Sequence, residues 1–116
     1  MALRRKQLAL LGIVVATQVV DAGLHVAINQ VEPLRILSNA VLTIAVVSSV
    51  FAPQNGRMAI LGGAIGYVAL NLVFVALYGL ENPVSGVIRA PLFVFMVLSL
   101  WFTYRLERLR VMIASA

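Results

Sequence analysis

The stretch Leu8-Ala-Leu-Leu-Gly-Ile-Val-Val-Ala-Thr-Gln18-Val-Val-Asp21-Ala-Gly-Leu-His25-Val-Ala-Ile-Asn29 decides the fold class. A bilayer core about 30 Å thick needs about 20 residues of apolar helix, and this run meets that length. Its polar residues do not interrupt it at random. Gln18, Asp21, His25 and Asn29, with Glu32 just beyond, recur at steps of three and four. On a helix that spacing confines them to an arc of about 80°. A carboxylate, an imidazole and amides on one stripe of a lipid-spanning helix are costly, so they are expected to face other helices.

The rest of the chain has the same character. Of its 116 residues 62% are hydrophobic and 11% charged, and the mean hydropathy is +1.02. Soluble domains carry about 45–50% apolar and about 25% charged residues, so this chain belongs with integral membrane proteins. Without cysteine it can form neither disulfides nor thiolate metal sites. A net charge of +5 would suit nucleic acid, but the basic residues stand at the ends of the apolar segments. That placement is a topology signal, and no nucleic-acid partner is expected. Arg4-Arg5-Lys6 ahead of Leu8 to Ala16, with Val14-Val15-Ala16, has the outline of a secretory signal. The apolar run continues to Ile28, so it is read as a retained first transmembrane helix.

Three further segments follow, giving spans at about 8–29, 34–52, 58–79 and 84–104, with a basic tail over 105–116. Gln30 to Pro33, Pro53 to Arg57 and Leu80 to Pro83 are short connections with turn chemistry. Short loops make successive helices antiparallel neighbours, which predicts a single all-α domain, an up-down-up-down four-helix bundle, over residues 1–116. Arg4, Arg5, Lys6, Arg57, Arg105, Arg108 and Arg110 fall on one side, with Arg35 and Arg89 on or near the other. Both termini are therefore expected to be cytoplasmic, in the cell (inner) membrane. Trp101, Phe102 and Tyr104 would lie at the inner interface and Tyr78 near the outer one. The tail continues helix four, with Leu106, Leu109 and Ile113 on one face and arginines on another.

A faint repeat is visible at a shift of 50 residues. Ala9, Leu11, Gly12, Pro33, Ala40, Leu42, Val47 and Ser49 align with Ala59, Leu61, Gly62, Pro83, Ala90, Leu92, Val97 and Ser99. It would make the bundle two parallel two-helix hairpins related by an axis along the membrane normal. In that alignment Asp21 corresponds to Asn71, and Asn39 to Arg89.

Helical rise gives each polar residue a depth. Counting from Lys6 to Asp21, Pro53 to Asn39, Arg57 to Asn71 and Arg105 to Arg89, all four lie roughly 21–24 Å from the cytoplasmic boundary at 1.5 Å per residue. Each helix thus places one strongly polar group at a common level, with Gln18 a turn further in and His25 a turn further out. Asp or Arg near a helix centre costs about 2.5–3.5 kcal/mol on the insertion scale. Pairing Asp21 with Arg89, with Asn39 and Asn71 as hydrogen-bond partners, is expected to relieve that cost. His25 either relays a proton between pH 5 and 8 or sits as an interfacial side chain with its polar tip in headgroups. Tyr67 and Phe74 share the Asn71 face and are expected in the core.

Small residues Ala9, Gly12, Ala16, Gly23 and Ala27 cluster opposite the polar stripe, and helix three offers Gly62 to Gly66 as GxxxG. Gly12, Ala16, Gly62 and Gly66 are therefore candidates for close helix packing, within the chain or between copies. Four helices do not easily enclose a pathway alone, so a homo-oligomer or larger membrane complex is expected. One histidine cannot supply a His-rich metal site or a bis-histidine haem, and no nucleotide-binding or metalloprotease motif is present. No cofactor, no metal and no enzymatic activity are expected. Two functions lead: a small transporter or channel-like protein passing an ion, proton or small solute through the Gln18, Asp21, His25, Asn39, Asn71 and Arg89 layer, or a non-catalytic membrane subunit whose polar layer serves helix packing. An intramembrane enzyme using Asp21 and His25 ranks third.

Overall fold

A computed structural model describes residues 2–27, 33–79 and 90–115. Within them the chain forms four α-helices: α1 over Ala2–Ala27, α2 over Pro33–Phe51, α3 over Gly56–Tyr78 and α4 over Ala90–Ser115. A 3-10 turn at Pro53–Asn55 joins α2 to α3. Proline suits the start of α2, where its missing N–H has no intrahelical partner to lose. Pro53 acts in the opposite sense, because a proline disfavours helical backbone at the residue before it. The chain turns there, with Ala52 N–H donating to Ser48 O at 2.7 Å and Asn55 N–H to Ala52 O at 3.2 Å. Gly79 closes α3 at φ +83°, a conformation that suits glycine, and its N–H reaches back to Val75 O at 2.7 Å.

Helices α1, α2 and α3 are each long and apolar enough to cross a membrane. Helix α4 carries Arg105, Glu107, Arg108 and Arg110 in its later turns. The six residues 84–89 assigned to the fourth span lie outside the described residues. Both α1 and α4 have 26 residues, or about 39 Å of helix, so each outruns a hydrocarbon core of about 30 Å. Arg4, Arg5 and Lys6 lie in the opening turns of α1 and the arginines of the tail in the closing turns of α4.

Burial is inverted relative to a soluble protein. Met58 is 79% exposed and Ile44 and Ile65 are each 68% exposed, whereas Gln18, Asp21, Arg35, Asn39, Asn71, Ser99 and Thr103 are all buried. Apolar residues also fill the interior, with Val14, Leu42, Val46 and Leu106 fully enclosed. An apolar exterior around a polar interior is compatible with helices that span a membrane.

The closest approach is between α2 and α3. A Cβ on Gly63 would collide with the Cβ of Ala45, and one on Gly66 would press on Val41 Cγ1 at 3.2 Å. Gly62 faces open space, as does Gly12 on α1, and Ala16 is exposed. Helical phase explains this, since the buried face of α3 runs Gly56, Ile60, Gly63, Tyr67, Asn71 and Phe74. Gly62 stands about 100° from that face. Gly63→Leu is therefore expected to destabilise the protein by about 1–3 kcal/mol through overpacking, with Gly62→Leu near neutral in the monomer. Thermal unfolding of both variants in detergent checks this, and equal losses would contradict the assigned phase.

Candidate functional site

Four helices contribute to one buried polar core. Arg35, in the first turn of α2, points into the bundle, and its Nη2 donates to both oxygens of Asp21 on α1, at 2.7 and 3.0 Å. Its Nε donates to Asn71 Oδ1 on α3 at 3.1 Å, and its guanidinium lies 5.9 Å from the centre of the Phe74 ring. The Asn71 amide is itself fixed, with Nδ2 donating to Ser38 Oγ at 3.1 Å and to Tyr67 O at 2.8 Å. Ser38 in turn donates to Arg35 O at 2.6 Å, which secures the turn that carries the arginine. A planar, five-donor guanidinium suits this role, since it can bind a carboxylate and an amide at once.

A second set of bonds joins α4 to this core. Gln18 Nε2 donates to Ser99 Oγ at 2.7 Å, and the Tyr67 hydroxyl reaches the same Ser99 oxygen at 3.4 Å. Gln18 and Asp21 are one turn apart on α1, and Tyr67 and Asn71 one turn apart on α3. The two sets therefore form one polar band through the bundle.

Three side chains in the interior retain polar atoms without a hydrogen-bond partner among the described residues. They are Asn39, at both Nδ2 and Oδ1, Gln18 at Oε1 and Thr103 at Oγ1. Asn39 is 4% exposed and follows Ser38 directly, one turn from Arg35. An orphaned buried group costs about 1–3 kcal/mol, so each one calls for a ligand, water or ion, or a functional reason.

Of the residues singled out from sequence, Gln18, Asp21, Asn39 and Asn71 are all buried, and Asp21 and Asn71 meet at one guanidinium. Tyr67 and Phe74 are buried on the Asn71 face. His25 lies on α1 one turn beyond Asp21, but its side chain is outside the description, as is the whole of Arg89. The expected Asp21–Arg89 pair therefore falls outside the described residues. Arg35 is the residue that sequence reasoning missed. Depth counting on backbone positions put it at the outer flank, yet its long stem carries the charge inward to 3% exposure. The available signal was its phase, because Arg35, Ser38, Asn39 and Leu42 share one helical face. Asp21 and Asn71, which the 50-residue shift aligns, bind the same arginine. No family model matches the chain, and neither a curated protein nor a solved structure is detectably similar to it.

Proposed function

We propose that this chain is a small multi-pass membrane protein that passes an ion, proton or small polar solute through its buried polar band. The orphaned amide of Asn39 carries the proposal. A layer that served only as packing glue would be expected to pair its amides, as it pairs Asn71, because glue contributes only about 0.6 kcal/mol per contact and an orphan costs more. An unpaired donor and acceptor beside the Asp21–Arg35 pair suit a site whose partner comes and goes. Contacts between Arg4 and Phe51, Gln18 and Ser99, and Gly56 and Arg110 support an up-down-up-down order of helices. Basic residues on the first turns of α1 and α3 and on the tail of α4 favour cytoplasmic termini in the cell membrane.

Flux in proteoliposomes tests the proposal. Vesicles holding the protein should dissipate an imposed gradient of protons, alkali cations or a small polar osmolyte faster than empty vesicles. Asn39→Leu should abolish that flux while leaving helicity and elution volume unchanged. If loaded vesicles are as tight as empty ones to all three probes, transport is excluded. A subunit role would then stand, favoured by the exposed small residues Gly12, Ala16 and Gly62, which leave room for another helix.

A further inference from the structure

We propose that Arg105 anchors a binding site for an anionic phospholipid, its phosphate held by Arg105 with Lys6 or Arg108 and its acyl chains laid along the apolar flank of α4. Two grooves meet at this residue. One, of about 350 Å³ between α1 and α4, is lined by Lys6, Ala9, Leu10, Arg105 and Leu109. The other, of about 280 Å³ on the far side of Arg105, adds Trp101, Tyr104, Arg108 and Met112. Volumes near 300 Å³ suit a headgroup better than a lone ion.

The cations here differ in availability. Arg110 is held by Glu107 through two bonds of 2.7 and 2.8 Å, which raise its pKa above the ordinary arginine value. Arg4 donates to Gln7 at 2.6 Å and stacks over Phe51. Lys6, Arg105 and Arg108 are exposed and have no carboxylate partner among the described residues. The lining beside them is apolar, and Trp101 and Tyr104 lie with ring centres 6.1 Å apart, the residue types that favour the headgroup level. A soluble anion would need only the cations. Cations over an apolar floor match both halves of a phospholipid, and basic pockets between helices at the cytoplasmic side are suited to anionic headgroups.

The proposal rests on the chain spanning a bilayer, and Trp101, the single tryptophan, reports on both matters separately. The full chain is reconstituted at low salt in phosphatidylcholine vesicles containing brominated phosphatidylglycerol or brominated phosphatidylcholine at matched mole fractions. Brominated phosphatidylglycerol is expected to quench Trp101 at several-fold lower mole fraction. Arg105→Gln should reduce that preference about fivefold, corresponding to about 1 kcal/mol per cation. Arg105→Lys should largely keep it, and Arg57→Gln, a basic residue lining neither groove, should leave it unchanged. Equal quenching by both lipids overturns the site, and so does an Arg57→Gln loss as large as that of Arg105→Gln. Competition by inorganic phosphate at matched charge would overturn a lipid as the ligand. Absence of quenching by either lipid would overturn the membrane assignment along with the site.

Discussion

Arg35→Ala is expected to lower the stability of the folded protein by about 3–5 kcal/mol, the largest effect of any single substitution proposed for this chain. Removing the arginine leaves Asp21 in the interior without the guanidinium that meets both its oxygens, and it also removes the Nε donor to Asn71. Breaking a buried pair costs this much because the remaining charge stays desolvated and loses the guanidinium that met both its oxygens. Arg35→Lys keeps the charge but not the fork, so it should fall between the two. The double variant Asp21→Leu/Arg35→Leu should recover most of the loss, because two apolar side chains replace a pair whose attraction mainly offsets its own desolvation. Unfolding of the four proteins in detergent measures this. An Arg35→Ala variant within about 1 kcal/mol of the parent would show that the pair does not hold the core.

Asn39→Leu should act in the opposite direction on stability. Its amide is buried with neither atom bonded among the described residues. An apolar side chain of similar volume removes an orphan worth about 1–3 kcal/mol, so unfolding should shift to higher temperature. Flux in proteoliposomes should fall to the level of empty vesicles in the same variant. Gain of stability with loss of activity is the signature of a group retained for function at a cost to the fold. If Asn39→Leu destabilises the bundle instead, the amide has a structural partner and the case for a transient ligand there is lost.

The two variants also separate the roles of neighbouring residues on α2. Arg35 and Ser38 tie the helices together, whereas Asn39, one position on, is left open. Such a division is invisible in composition, since all three lie on the same polar face.

The apolar segments themselves were legible from sequence because whether a helix is long and apolar enough to span a membrane depends on length and hydropathy, both local properties. The stop at Pro53, the helical tail through Leu106 and Leu109, and the burial of Gln18, Asp21, Asn39 and Asn71 follow from backbone chemistry and from the helical spacing that gathers polar residues on one face. Tertiary structure decided which groups meet. Asp21 has Arg35 as a partner because a long side chain moves its charge far from its own Cα, so depth counted along the backbone misplaces it. Likewise Gly63, a member of the same glycine-rich run as Gly62, makes the close contact with Ala45, since helix rotation is set by the whole packed face. Hydropathy acts along one chain segment, whereas pairing and rotation depend on the neighbours that packing supplies.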